Sequence, residues 1–446
     1  MSIEIKKIII KNFKSIKNIT LDIDDLTVMV GKNGSGKTNI IEAIDFNKNL
    51  FRFELIKYPF TKWWRYSNLV CNHNIEEPIS FSFNFRVDGH KLLYEYNLID
   101  NNGLPNFISE HIIIDNYVDI LRKGSIAEVK HLDNAINKFL KTNFDNLKHL
   151  HINNKDEIFS KINQTQYITD ISSNQSIISM TMFGSLSVVR GYAISYFNVN
   201  KNNRIEDVTN FNNFIAMASP IIKTEKNNSY SDLANFVFFS GLNTIFNNII
   251  VVGPIDYKAI KNRVPVTGPS SIADDGTGLV GVLYRYFLKN RSLPELVESG
   301  INTFFPGWEL NFEAMPDGTI TLVVRSGDNY FYSPNLPLGF YKLLMILELI
   351  EQKPEILVID EIENSLHEKM IEYIIDAITV RGIKTIISTH SPMVVDLVDL
   401  KNILIVKMVN NQTKVERITN PKQKSESLIK EGITPSESLL YGGIDH

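Results

Sequence analysis

One eight-residue run, GKNGSGKT at residues 31–38, constrains this chain more than any other stretch. It matches the pattern G-x-x-x-x-G-K-[ST] and lies between an apolar run at residues 26–30 and a helical pattern at residues 39–46. A loop of this kind joins a strand to a helix whose first N–H groups can bind phosphate. The sequence therefore predicts a strand, a phosphate-binding loop and a helix in that order; the alternative is a glycine-rich turn with an incidental lysine.

The residue types in this loop suit a nucleoside triphosphate. Glycines let the backbone curl around the β-phosphate because they carry no Cβ. Lys37 would place a positive charge beside the β- and γ-phosphates, and the hydroxyl of Thr38 would bind Mg²⁺. The loop residues expected to hold the nucleotide are Gly31, Gly34, Ser35, Gly36, Lys37 and Thr38.

A second apolar run, at residues 356–359, ends in the adjacent acids Asp360 and Glu361. If this strand ends beside the phosphate loop, Asp360 can hold Mg²⁺ through water, and Glu361 can orient and deprotonate the attacking water. Adjacent acids at a strand end also occur by chance. The phosphate loop, however, makes an independent demand for a metal-holding acid and a base, so we interpret both as functional residues.

Length and composition give broad limits. A chain of 446 residues accommodates two or three domains, and a formal net charge of -4 is too small to predict a nucleic-acid partner. The single cysteine, Cys71, is interpreted as a packing residue and suits a reducing compartment. The apolar run at residues 8–10 is too short for a secretory signal, and no stretch approaches the ~20 apolar residues of a membrane helix. We expect a soluble, cytoplasmic protein without a membrane partner.

Alternating patterns elsewhere predict antiparallel strands. Residues 3–12 and 19–23 read as a short β-unit that precedes the loop-bearing strand. Residues 79–87 and 91–99 flank Asp88-Gly89-His90, which indicates a hairpin, and residues 306–325 read as another strand pair. Between them, residues 126–140 and 231–249 show helical periodicity, but no coiled-coil heptad pattern is sustained.

These features together resemble the ABC-type ATPases of the RecF, SMC and OLD group. The resemblance is carried by the opening IEIKKIIIKNFKSIKN, the loop GKNGSGKTN, the acidic motif DEIENSLH at residues 360–367 and THSP at residues 389–392. It implies ATP as the nucleotide, a phosphate-pocket role for Asn33, and a switch role for His390, which would reach the γ-phosphate and stabilise transition-state charge. The glutamine of the family's Q-loop is not identifiable and stays unassigned.

The resemblance also implies the fold. We expect an α/β protein: an ABC-type P-loop NTPase head with a RecA-like core and an antiparallel β-subdomain, plus an inserted helical lobe. Residues 1–114 would form the N-terminal half of the head, residues 115–250 the helical lobe, and residues 251–446 the C-terminal half. Because the motifs lie over three hundred residues apart, the core sheet must be assembled from both ends of the chain.

One motif departs from the family pattern. The signature LSxGxxR, which begins a helix and contacts the partner's γ-phosphate across a dimer, here reads LPLGFYK at residues 336–342, followed by a pattern at 343–350 interpreted as amphipathic. Gly339 matches and would contribute to nucleotide binding, but Pro337 stands where the family has serine. Loss of one such donor costs on the order of 10²–10³ in rate, so slow hydrolysis is expected.

The family suggests partners and roles. It implies a homodimer or a larger symmetric assembly of such dimers. The Toprim nuclease of OLD proteins needs a strand ending in glutamate and a later D-x-D pair, whereas residues 402–406 run into KMVN, with no D-x-D after them. We therefore expect a stand-alone OLD-like ATPase that regulates a separately encoded effector, as in anti-phage modules. The effector would dock on residues 115–250 or on the tail. The alternative is a RecF-like repair protein that binds duplex DNA; a transporter ATPase is a distant third.

Residues 51–65 bear on the alternative that the protein binds duplex DNA. They combine aromatic and basic side chains, a composition that favours either nucleic-acid binding or the half-buried edge of a lobe.

Overall fold

The computed structural model describes residues 3–51, 60–87, 90–115, 118–131, 166–168, 176, 246, 248–268 and 271–440. The chain forms two compact units, and each is built from two separate stretches. The first unit comprises residues 1–22 and 46–247, and the second comprises residues 23–45 and 248–446. The three-part division at 114 and 250 stays a prediction, because most of its middle part lies outside the described residues.

The first unit contains an eight-stranded antiparallel sheet with the strand order β2-β1-β4-β5-β6-β7-β8-β9. This confirms the predicted antiparallel β-subdomain, including the hairpin formed by the strands on either side of residues 88–89. The strands are β1 Ile3–Phe13, β2 Ile16–Asp22, β4 Ile79–Val87, β5 His90–Asn101, β6 Leu104–Ile114, β7 Val118–Lys123, β8 Ile126–His131 and β9 Gln166–Ile168.

Aromatic side chains fill one face of this sheet because they alternate along β4 and β5 with polar residues on the other face. Phe81 stacks on Tyr96, and Phe13 lies 5.8 Å from Phe46, ring centre to ring centre. Phe13 is fully buried, so it is a core aromatic. Of the aromatic and basic stretch, Trp63 is buried, whereas Trp64 is 89% exposed. Residues 52–59 of that stretch lie outside the described residues.

The helix predicted from residue 126 is wrong for its first six residues. Residues Ile126–His131 form strand β8, which pairs antiparallel with β7. The two strands are joined by Gly124 and Ser125, and Gly124 has a positive φ of 59°, as a tight hairpin turn requires. The remainder of that pattern, and almost all of residues 231–249, fall in stretches that are not described.

The second unit contains a six-stranded, mainly parallel sheet with the order β10-β15-β16-β3-β17-β18. Strands from both ends of the chain meet in it: β3 pairs with β16 and β17 in parallel. This confirms the expected RecA-like α/β core. Its strands are β3 Leu26–Val30, β10 Ile249–Val252, β15 Ile356–Ile359, β16 Thr385–Thr389, β17 Ile403–Val409 and β18 Gln412–Arg417, the last an antiparallel edge.

A smaller antiparallel sheet accompanies it. It consists of β11 Val264–Pro265, β12 Trp308–Ala314, β13 Thr319–Ser326 and β14 Asn329–Tyr332, and it includes the strand pair predicted at residues 306–325.

The described residues also form α-helices. They are α1 Lys37–Phe51, α2 Tyr257–Lys261, α3 Leu279–Asn290, α4 Glu295–Phe304, α5 Leu338–Glu351, α6 Glu368–Arg381, α7 Pro392–Asp396, α8 Pro421–Glu431 and α9 Pro435–Leu440. Residues 46–51 of α1 count with the first unit. No helix in the described part of the chain is both long and apolar enough to span a membrane.

Helix α5 differs from its prediction. The sequence indicated an amphipathic helix, but every residue from Phe340 to Ile350 is buried, including Lys342 and Glu348. The helix packs against both α4 and α6, so it has no solvent-facing side over this stretch. Polar residues within it are therefore internal groups that need partners.

Candidate nucleotide-binding site

The predicted site residues of the second unit meet at the carboxyl ends of adjacent parallel strands. The phosphate loop follows β3, Asp360 follows β15, and His390 follows β16. In open α/β sheets, ligands bind at this edge. Thr38 Oγ1 lies 3.5 Å from Asp360 Oδ2, although the two residues are 322 positions apart in sequence.

The phosphate loop has a conformation that suits an anion. Lys37 is buried, and its Nζ donates to the main-chain carbonyls of Gly31 at 2.6 Å and Lys32 at 3.2 Å. Ser35 Oγ is buried and has no hydrogen-bond partner among the described residues. The ammonium group of Lys37, which donates to carbonyls of its own loop, and the unpaired hydroxyl of Ser35 can both bind a phosphate group.

Gly36 is required by the surrounding protein as well as by the turn. Its φ is 103°, and a Cβ at this position would lie 1.9 Å from Oγ1 of Thr413 on β18. The loop therefore packs directly on the edge hairpin β17–β18, which the sequence did not suggest. A substitution such as Gly36→Ala would strain the backbone and clash.

A serine joins the two acids that follow β15. Ser388 Oγ donates to Asp360 Oδ1 at 2.5 Å and accepts from the main-chain N–H of Glu361 at 2.8 Å. Burial raises the pKa of Asp360, and the hydrogen bond from Ser388 opposes that rise. Burial lowers the pKa of Lys37, and the nearby carboxylates, Glu361 first, oppose that fall. Both charged groups are thus partly desolvated and gain from an added counter-charge.

The residues present fit a magnesium–nucleotide complex. Mg²⁺ takes oxygen ligands, and it is usually held by one or two carboxylates together with substrate phosphates. Thr38 and Asp360 supply a hydroxyl and a carboxylate side by side. Within the described residues no group of three or more His, Cys, Asp and Glu could hold a metal ion.

Glu361 is held in an unusual backbone conformation. Its φ is 47°, which costs a residue with a side chain about 1 kcal/mol or more. Its carboxylate oxygen Oε2 accepts a hydrogen bond from Asn364 Nδ2 at 2.6 Å. A strained residue at a strand end, with its carboxylate oriented by a neighbour, has the features of a preorganised base.

His390 is oriented by an acid for which the sequence analysis assigned no role. Its ring Nδ1 and its main-chain nitrogen each lie 2.8 Å from Glu363 Oε1. The ring itself is 43% exposed, whereas the side chain of Glu363 is 12% exposed. Glu363 therefore fixes both the backbone and the ring of His390 at the loop entrance.

We expect Glu363→Ala to slow ATP hydrolysis by about 10-fold or more, as for other residues that orient a functional histidine. The free ring of His390 would then sample several rotamers, while ATP binding would change less than the rate. Steady-state hydrolysis and equilibrium ATP binding, measured on the same preparations, check this expectation. The matched control is Glu368→Ala, an exposed acid at the start of α6; an equal loss in both variants would contradict the role.

Gly339 lies in the first turn of α5, after the N-cap residue Pro337. A Cβ on Gly339 would lie 2.4 Å from the main-chain oxygen of Ser365, so the helix start packs closely on the turn after β15. This packing is a second reason for glycine here. A contact of Gly339 with nucleotide across a dimer stays a prediction.

Sequence reasoning missed the supporting residues Ser388, Glu363 and Asn364, although the quoted motif DEIENSLH contains the last two. The signal for Glu363 was its spacing. An acid two residues after Glu361 cannot belong to a buried strand, so it lies in the turn that follows the strand. Ser388 showed only as a polar residue in an apolar strand.

Comparison with protein families gives two matches. Residues 3–250, more than half of the chain, match a family described as "AAA ATPase domain". Residues 235–396 match a family described as an AAA domain and candidate AbiEii toxin of a Type IV TA system. The two matches overlap and together extend across both the phosphate loop and the acidic motif.

Individual relatives are partial matches. The chain is 29% identical over 144 residues to the DNA replication and repair protein RecF of Rickettsia canadensis, and 27% identical over 208 residues to that of Rickettsia typhi. These alignments cover 31% and 45% of this chain, and 40% and 53% of the two relatives. The chromosome partition protein Smc of Methanocaldococcus jannaschii is 41% identical over 73 residues, 16% of this chain and 6% of that protein.

Among solved structures, the SMC head domain of Pyrococcus furiosus, bound to the C-terminal domain of ScpA, is similar. It has a TM-score of 0.44 and 13% identity, with 96% of this chain and 99% of that chain covered. The SMC head domain of Thermotoga maritima has a TM-score of 0.37 and 14% identity, with 93% and 99% covered.

Proposed function

Because the chain belongs to the family of AAA ATPase domains, in the RecF- and SMC-like group of ABC-type ATPases, we propose that it binds Mg²⁺ and ATP and hydrolyses the ATP slowly. The observation that carries this proposal is the 3.5 Å approach of Thr38 to Asp360, beside the phosphate loop. A phosphate-bound Mg²⁺ requires a hydroxyl from the phosphate loop, here Thr38, and an acid at a nearby strand end, here Asp360. ATP rather than GTP follows from family resemblance.

Each residue has a proposed task. Lys37 would leave the carbonyls of its own loop and pair with the β- and γ-phosphates. Thr38 and Asp360 would hold Mg²⁺, which neutralises charge that develops on the phosphates. Glu361 would take the proton of the attacking water, and His390 would contact the γ-phosphate and report its presence. The main-chain N–H groups of the phosphate loop, with Asn33 and Ser35, would complete the pocket.

Assembly as a homodimer, or as a symmetric oligomer of such dimers, is the second part of the proposal. The first turn of α5, with Gly339 in it, has no side-chain cap, so the N-terminal end of this helix can attract a partner's γ-phosphate. Pro337 supplies no hydroxyl there, which favours slow turnover. Sedimentation of the protein at micromolar concentration, with and without ATP, tests this part; a monomer in both conditions contradicts it.

The biological role proposed is a nucleotide-controlled switch for a separately encoded effector, in anti-phage defence and in the cytoplasm. Two features support a switch. Glu363 contacts the ring of His390, and Glu363 lies in the same turn as Glu361. The residue proposed to contact the γ-phosphate and the proposed base are therefore connected through one short segment. The match to a family named for a toxin–antitoxin system is consistent with a two-component module. The effector would dock through residues 115–250 or the tail.

The RecF-like alternative is favoured by the two RecF relatives, which are named for DNA replication and repair. Duplex DNA binding by the isolated protein discriminates the two roles. We expect weak binding that does not depend on ATP, in wild type and in Glu361→Gln, at several salt concentrations. Tight binding that requires ATP, and that falls with salt as phosphate contacts demand, would favour the repair role. Copurification with the product of a neighbouring gene would support the effector role.

A further inference from the structure

Lys342 is a buried cation in an apolar helix. It lies in the second turn of α5, is 3% exposed, and is flanked by Tyr341 and Leu343, which are fully buried. A lysine in such a place destabilises the fold unless its ammonium group is fully bonded. Its position corresponds to the last, basic residue of the signature-like segment at residues 336–342.

All three donors of this ammonium group have main-chain acceptors. Lys342 Nζ donates to the carbonyl oxygens of Glu361 at 2.9 Å, Ile362 at 3.2 Å and Asn364 at 2.9 Å. An ammonium group has three N–H bonds, so its capacity is used completely on one four-residue turn. Burial lowers the pKa of Lys342 to about 8, and the carboxylates of the turn, Glu363 first, oppose this fall.

The turn that receives these bonds contains the proposed base. Glu361 has a φ of 47° and needs external restraint to keep it. Ser388 holds its N–H, Asn364 holds its carboxylate, and Lys342 holds its carbonyl oxygen. The three contacts fix the residue on both sides of its α-carbon, which defines where its carboxylate can lie.

Close packing keeps α5 within reach of the turn. Gly339 precedes Lys342 by three positions, and so the two lie on one face of the helix. The absent side chain of Gly339 lets the helix backbone approach Ser365, whose oxygen would lie 2.4 Å from a Cβ. Movement of the helix start would therefore be transmitted to residues 361–365 through this contact and through Lys342.

We propose that Lys342 is a positioning residue that sets the backbone of Glu361 and thereby couples the signature-like helix α5 to the proposed catalytic base. This inference rests on the proposed function, because it takes Glu361 as the base. It assigns Lys342 no contact with the nucleotide.

Lys342→Met tests the proposal, because methionine keeps the apolar stem and removes the three donors. We expect ATP hydrolysis to fall by about 10–100-fold, since misplacement of a catalytic group by ~1 Å can cost 10² in rate. ATP affinity should stay within about twofold, and amide exchange of residues 361–364 should become faster. Lys289→Met, an exposed lysine on α3, is the matched control and should change none of these values.

A double variant separates positioning from a general structural role. If Lys342 acts through Glu361, then Lys342→Met placed on Glu361→Gln should lower the residual rate by less than about twofold, since groups that act as a unit are non-additive. If the rate losses of the two single variants multiply in the double variant, the proposal is overturned. If Lys342→Met does not fold, Lys342→Gln, a shorter amide donor, replaces it in the same scheme.

Failure of the positioning role of Lys342 and failure of the proposed ATPase function give different results. A wild-type rate in Lys342→Met, with hydrolysis intact in the parent, overturns the positioning role alone. If the wild-type protein does not hydrolyse ATP, the proposed function fails. Amide exchange of residues 361–364 in nucleotide-free protein then still decides whether Lys342 holds the turn.

Discussion

Glu361→Gln is expected to slow ATP hydrolysis by about 10²–10⁴-fold and to leave ATP binding almost unchanged. Glutamine has the shape of glutamate but cannot accept the proton of the attacking water. The hydrogen bond of Asn364 to the side chain and that of Ser388 to the main chain can both persist, so the turn should keep its conformation. With hydrolysis blocked and binding intact, a nucleotide-bound assembly should accumulate.

Single-turnover hydrolysis and equilibrium ATP binding measure the two halves of this prediction. The matched control is Glu372→Gln, an exposed acid on α6, for which no change is expected. A wild-type rate in Glu361→Gln would show that another group takes the proton. Loss of ATP binding in the variant would instead indicate that the turn has changed shape.

Lys37→Met is the other substitution with a large expected effect, this time on binding. The ammonium group of Lys37 is buried and donates to two carbonyls of its own loop, so it is already placed beside the phosphate position. Removing one partner of a buried charge pair costs about 2–5 kcal/mol, which corresponds to a loss in ATP affinity of roughly 30-fold to a few thousandfold.

The control for this prediction lies in the same loop. Lys32 is exposed and occupies a position that the loop motif leaves open, so Lys32→Met should change ATP affinity by less than about fivefold. Equilibrium binding of ATP with Mg²⁺ measures both variants. Equal losses would mean that the loop acts through its overall charge, and an unchanged affinity in Lys37→Met would remove the loop from the nucleotide site.

Local sequence signals predicted the elements that carry the site. The order of strand, glycine-rich loop and helix at residues 26–51 follows from hydrophobic pattern and turn chemistry, and the strands before Asp360 and His390 are short apolar runs. The chemistry needs a metal-holding acid beside the phosphate loop. We therefore expected these three segments to share one edge of a sheet. The pairing of β3 with β16 bears this out.

The supporting contacts could not be predicted in the same way. Ser388 bridges Asp360 and Glu361 only because two strands are adjacent, and Lys342 reaches the turn only because α5 packs on it. Residues 343–350 looked amphipathic because Glu348 interrupts their apolar pattern, yet this side chain is internal, as is that of Lys342. Pattern reasoning places charged residues in solvent, and it fails for a buried charge such as that of Lys342, whose three donors all have acceptors.

The most direct test of the proposed nucleotide site is a crystal structure of Glu361→Gln soaked with ATP and Mn²⁺, with the metal located by anomalous scattering. The account predicts one metal peak at roughly 2.0–2.3 Å from the hydroxyl oxygen of Thr38, with Asp360 bound to it directly or through water, as for a Mg²⁺-type ion. Lys37 should contact the phosphates in the same map. A nucleotide bound away from residues 31–38, or a metal without Thr38 in its shell, would contradict the account.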